Sequence, residues 1–223
     1  MDQATNLFTT PRSRFHLRAV PTLTCAIGPA FIDQLVNLDQ SQSLIDYVNA
    51  FKTVDTMIFA DTDELEVHAV IDYHKAAGAS RGLAEHHAVL SLAYSPEWDL
   101  WNAVSGRMHE QRSFARMLDI NSDDIARPEA ASVAKTVMDL EPATTWTALP
   151  LSFGLSIPVF TGEPKVDVKA IASGSHDCNT GKISLGLELV RTRIIVETEI
   201  ARIARSIATA TSVPVMMGSI SDI

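Results

Sequence analysis

Between residues 64 and 74 apolar and polar side chains alternate, and few patterns constrain a fold more tightly. Leu65, Val67, Ala69, Ile71 and Tyr73 fall on one side of an extended chain, with Glu66, His68, Val70, Asp72 and His74 on the other. A period of two is the signature of a strand. Residues 75–84, rich in Ala, Gly and Ser, predict a pliable loop. Residues 86–94 predict a second strand, antiparallel to the first. Ser95-Pro96-Glu97 then opens a helix, with a capping hydroxyl, a proline in the first turn and a carboxylate at the positive end of the dipole. Trp98, Trp101, Val104 and Met108 form its apolar stripe, and Gly106 is placed to end it. Its tryptophans are expected to anchor it on the hairpin.

The same reasoning extends in both directions. Residues 1–14 lack periodicity and predict a mobile arm. Phe15, Leu17 and Ala19 alternate with His16 and Arg18, a short strand closed by Pro21, whereas the stretch to Asp39 with its Gly28-Pro29 carries no clear period. Leu44, Ile45, Val48 and Phe51 mark one face of a helix that Ser43 can cap, with Asp46 three residues on. Residues 56–60 predict a short strand and Asp61-Thr62-Asp63 its turn. Phe114, Met117 and Leu118 predict a helix over 110–119. Pro128 opens another, with Ala130, Val133, Ala134, Val137 and Leu140 inward. Residues 151–160, 165–172 and 182–190 predict strands, Asn179-Thr180-Gly181 a turn between the last two, and Pro158 an edge or a strand end. Val196, Ile200, Ile203 and Ile207 predict a helix over 192–209, ended by Pro214, and VPVMMG a final short strand.

Strands, helices, strands, helix: the order is that of an α+β fold, antiparallel sheets with a helical middle segment and a C-terminal helix. Without a linker or an internal repeat, residues 15–223 are expected to form one domain, its halves meeting near 145/146. The 223 residues, 46% apolar and 20% charged, suffice to bury a core without disulfides. Apolar runs fall short of the ~18–20 residues of a membrane span, and the polar N-terminus lacks the core of a signal peptide. Cys25 and Cys178, far apart and outside any CxxC, read as free thiols of a cytoplasmic protein. A net charge of −9 argues against non-specific coating of nucleic acid.

Chemistry-bearing residues gather in the first hairpin, which holds His68, His74, His86 and His87. Asp72, His74 and His86 form a candidate metal set, since imidazoles and a carboxylate on adjacent strands suit zinc or a non-haem metal. His68 shares the face of Asp72 and His74, and His86 or His87 is expected beside His74; ordinary polar contacts are the competing reading. Gly78-Ala79-Ser80-Arg81-Gly82 satisfies GxSxG but sits at a hairpin tip, not on the strand-to-helix elbow a nucleophile requires. Asp61/Asp63 and Asp123/Asp124 lack the spacing of a calcium loop and read as turn and cap residues. Arg12, Arg14, Arg18, Arg191, Arg193, Arg202 and Arg205 are the candidate nucleic-acid contacts, although no aromatics are interleaved for stacking on bases. No catalytic set and no organic cofactor are expected.

Four segments, AVIDYH (69–74), HHAVLSL (86–92), SPEWDLW (95–101) and LPLSFGLSIPVF (149–160), resemble the YfdQ-like family of phage and prophage proteins, in order along residues 43–218. His87 stands where the family pattern favours arginine. The resemblance implies a phage-related protein in the bacterial host cytoplasm and implies no reaction. The leading expectation is a non-enzymatic protein acting through homo-oligomeric assembly or an unidentified protein partner, through edge-capable strands and the N-terminal arm. The alternatives are an accessory factor in phage DNA replication or recombination using the arginines, and a metal-dependent hydrolase using Asp72, His74 and His86.

Overall fold

A computed structural model describes residues 35–71, 87–141 and 149–218. In chain order come β1 (Leu35–Leu38), α1 (Ser41–Phe51), β2 (Met57–Asp61), β3 (Glu66–Val70), β4 (His87–Ser91), α2 (Pro96–Val104) and β5 (Met108–Glu110). They are followed by α3 (Gln111–Ile120), a 3-10 turn (Ser122–Asp124), β6 (Ile125–Arg127), α4 (Ala130–Met138), β7 (Leu151–Pro158), β8 (Lys165–Asp177), β9 (Lys182–Leu189), α5 (Thr192–Thr211) and β10 (Val215–Met217). The expected α+β class is what the chain adopts, with a helical middle segment and a C-terminal helix. The arm, the strand at 15–19, Cys25, the loop at 75–84 and the GxSxG segment lie outside the described residues.

The strands form two five-stranded sheets, ordered β1-β4-β3-β2-β10 and β5-β9-β8-β7-β6. The second is antiparallel throughout. In the first, β2, β3 and β4 are antiparallel, as the alternation predicts, while β1 and β10 add parallel edges. Each sheet borrows from the other end of the chain. β10 closes on β2, and β5 and β6 flank the strands from the last third.

One face of the first sheet, with Ile58, Ala60, Val67, Ala69, Ala88 and Leu90, joins the main apolar core beneath α1 and α5. Leu44 and Val48 are buried on α1, and Val196, Ile200, Ile203 and Ile207 on α5, the spacing that predicts each helix. α1 starts at Ser41, one turn earlier than a Ser43 cap implies, and Ser41 Oγ donates to Glu163 Oε1 at 2.7 Å. Phe51, expected inward, is 48% exposed because the helix ends there.

The second sheet buries Phe153, Leu155, Val168, Ala170, Leu185 and Leu187 in the same core and leaves Lys165, Asp167, Lys169 and Lys182 exposed on its other face, the division expected of an antiparallel sheet wetted on one side. Its inner face receives α2. Ser95 Oγ accepts from Trp98 N at 3.0 Å and Pro96 occupies the first turn. The helix stops at Ser105-Gly106, where φ of +77° suits only glycine well. Met108 therefore begins β5 and is 55% exposed, not part of the helical stripe. The tryptophan helix packs on β7 and β9 rather than principally on the hairpin. Trp101 meets Phe153 edge-on at 6.4 Å, and its Nε1 donates to Asp124 Oδ2 at 2.8 Å. Burying one such ring removes on the order of 200 Å² from water, about 5 kcal/mol, before side-chain ordering is counted.

The sheets are stitched together where Tyr94 bridges Phe160. Ser95 N donates to Val159 O at 2.9 Å, Thr161 N to Ala93 O at 2.9 Å, and Ser95 Oγ to Pro158 O at 2.6 Å. One serine thus caps a helix and ties two sheets.

Candidate functional site

Asp72, His74 and His86, and with them Arg12, Arg14 and Arg18, lie outside the described residues. The remaining arginines sit at or on α5. Arg191 takes a left-handed conformation (φ 61°) before its first turn. Arg193 Nε bonds Glu197 Oε1 at 2.7 Å. Arg202 bridges two carboxylates at 2.7 Å each, Glu163 through Nη2 and Glu199 through Nε. Burial works against its charge, yet these two bonds hold its pKa above the ordinary value. Arg205 is exposed. Two of the four arginines are thus neutralised within the fold, and Arg202 serves to tie α5 to the turn after β7.

Of the acidic pairs, Asp61 plays the turn role expected of it, whereas Asp124 serves as a buried acceptor for an indole rather than as a turn or cap residue. Asp61 Oδ1 accepts from the backbone N–H groups of Asp63 and Glu64, each at 3.0 Å, forming the turn before β3. Asp124 anchors Trp101.

The second face of the first sheet carries the chemistry. Phe59, Asp61, His68, Val70 and Val89 are all buried there, so β3 is covered on both sides. In the register, His68 pairs with Phe59 and Val89, Val70 with Met57 and His87, and Glu66 with Asp61 and Ser91. His87 is therefore the diagonal neighbour of His68. Its Nε2 lies 3.1 Å from His68 Nδ1, and the rings are inclined at 31°. On the far side of His68, Nε2 stands 3.2 Å from Glu66 Oε2, and Ser91 Oγ donates to Glu66 Oε1 at 3.1 Å.

This arrangement sets the tautomers. Glu66 can only accept, so His68 carries its proton on Nε2 and turns a bare Nδ1 toward His87. His87 then donates from Nε2 and keeps its lone pair on Nδ1. Burial, followed by repulsion from His68, pushes the His87 pKa down to about 4. Burial also lowers that of His68, against the pull of Glu66 and Asp61. Both rings are consequently neutral near pH 7. A base with so low a proton affinity is poorly matched to proton abstraction at neutral pH; neutral imidazoles suit hydrogen bonding and metal ligation. Among the described residues, no three His, Cys, Asp or Glu side chains gather as a metal-ligand group.

The Glu66–His68–His87 line differs from the Asp72, His74 and His86 set that sequence spacing suggests. Glu66-x-His68 at strand spacing and the His86-His87 doublet were the available signals; the register was missing. A shallow cleft of about 300 Å³ opens elsewhere, between the turn before β3, α2 and the start of α5, lined in part by Asp63, Tyr94, Trp98, Asn102, Arg193 and Glu197. Its charged residues are already paired with one another.

Fold and site together define an α+β protein of two cross-braced sheets with a part-buried imidazole pair on one sheet face. The chain belongs to the uncharacterised conserved protein family DUF2303, whose model matches residues 16–145 and 135–220. Comparisons with curated proteins and with solved structures find no match. No helix among the described residues is long and apolar enough to cross a membrane.

Proposed function

We propose that this chain is a phage- or prophage-derived protein of the bacterial cytoplasm that acts without catalysis, by pairing with a second copy of itself. The observation that carries the assembly reading is the length of β8. It has thirteen residues against eight in β7, and its ladder with β7 stops at Ala172, while pairing with β9 continues to Asp177. Among the described residues no strand lies on the β7 side of residues 173–177. Lys169 O and Asp177 O both accept from the β9 side, so the odd-numbered backbone groups of β8 face β9. Those of Gly174 and His176 face the β7 side, where no described strand pairs with them. An edge of this kind is a template for strand addition. Two copies aligning it antiparallel about a twofold axis make a closed, isologous contact. The origin and compartment rest on the resemblance of the four sequence segments to phage and prophage proteins.

Light scattering over a range of concentrations tests the assembly. A dimer is expected for the wild-type chain, and a monomer of unchanged circular dichroism for His176→Pro, which removes one outward N–H. A wild-type chain that stays monomeric at every concentration refutes the proposal.

A further inference from the structure

We propose that His68 Nδ1 and His87 Nε2 are the two protein nitrogens of a transition-metal site, zinc being the class of ion they suit, with Glu66 as the outer carboxylate that orients His68. The argument is geometric and does not depend on the assembly proposed above. Two nitrogens bound at ~2.0–2.1 Å to one tetrahedral zinc lie about 3.3 Å apart. The observed separation is 3.1 Å, so a small rotation of the rings converts a hydrogen bond into a ligand bite. A metal-bound histidine ordinarily donates its other ring N–H to a carboxylate or carbonyl, which fixes the tautomer. Glu66 stands at that position, 3.2 Å from His68 Nε2, and is itself steadied by Ser91. The nitrogen left bare is the one facing His87. Phe59, Val70 and Val89 surround the pair with buried apolar side chains, the setting in which neutral imidazole competes well with water for an ion. On binding, His87 exchanges to its other tautomer, its proton passing from Nε2 to Nδ1 by way of solvent with no net release, and the ion takes the place between the two nitrogens. Its remaining positions are open to water or to further donors.

The test uses the full-length chain stripped with a chelator. Zn²⁺ is titrated calorimetrically and Co²⁺ by its visible ligand-field bands. Binding of one ion with nitrogen-type Co²⁺ bands and a raised unfolding temperature is expected for the wild type. Loss of all three is expected in His87→Gln, and about 10–100-fold weaker binding in Glu66→Gln. In ¹⁵N-labelled wild-type chain, Zn²⁺ should shift ring nitrogens of both His68 and His87, a reading independent of whether the variants fold. Absence of wild-type binding overturns the proposal. So does binding that His87→Gln leaves intact, or that only His74→Ala removes.

Discussion

Trp101 shows how much a single residue can carry here. Its ring fills the space between α2 and the second sheet, and its indole N–H is spent on Asp124, a carboxylate only 8% exposed. The two contributions can be separated. Trp101→Phe keeps most of the apolar volume but strips the buried acid of its donor, and should cost about 2–3 kcal/mol in urea unfolding. Asp124→Asn retains a carbonyl that can accept the same bond, so its loss should stay within about 1 kcal/mol. Equal losses in the two variants would mean that the bond contributes little and that packing decides the site. Leu65 adds a smaller oddity at this scale, a non-glycine residue at φ 58° directly before β3. The turn built on Asp61 sets that conformation, and it delivers Glu66 and His68 to the covered face in register.

Between elements, the decisive tie is Arg202. It clamps Glu199 on its own helix and Glu163 after β7, and Glu163 in turn accepts from Ser41 at the start of α1. Arg202→Met should lower stability by about 1–3 kcal/mol, since it leaves Glu199 and Glu163 with 9% and 17% side-chain exposure and their charge uncompensated, while the partial exposure of the arginine tempers the loss. In a double-mutant cycle with Glu163→Gln, the combined loss should fall short of the sum; simple additivity would show that the bridge does not couple the elements. The helices and most strands were legible because they follow local periods: Val196, Ile200, Ile203 and Ile207 on α5, Ile183, Leu185 and Leu187 on β9. What was not legible is set by partners distant in sequence. No local pattern says that β1 and β10 add parallel edges, that Trp101 meets β7 at Phe153 while Trp98 stacks on Tyr94, or that both sides of β3 are covered. The candidate site was half visible for the same reason. Glu66, His68 and His87 stood out as polar residues on strands, but the long connection between β3 and β4 left the register free, and only the register makes His87 the diagonal neighbour of His68.

At the scale of the molecule, the exchange of strands between the sheets and their shared apolar cluster argue that the described residues fold together, and the single domain expected over 15–223 becomes a prediction to test. A fragment covering 15–145 would hold β1–β4 under α1 but without α5, the second helix packed on them, and would carry α2 without the β7 and β9 it packs on. A fragment covering 146–223 would hold β7–β9 without α2 or the edge strands β5 and β6, and α5 without its sheet. Each would expose most of one face of a sheet that the intact chain buries in a single apolar cluster. At ~25 cal/mol per Å² of apolar surface, leaving even a few such side chains exposed is comparable to the whole stability of a small domain. Neither fragment alone should show a cooperative unfolding transition or dispersed amide resonances, whereas the two co-expressed should recover both. Cooperative unfolding of the isolated 146–223 fragment would overturn the single-domain reading. It would also recast β10 as an arm laid on an independent unit.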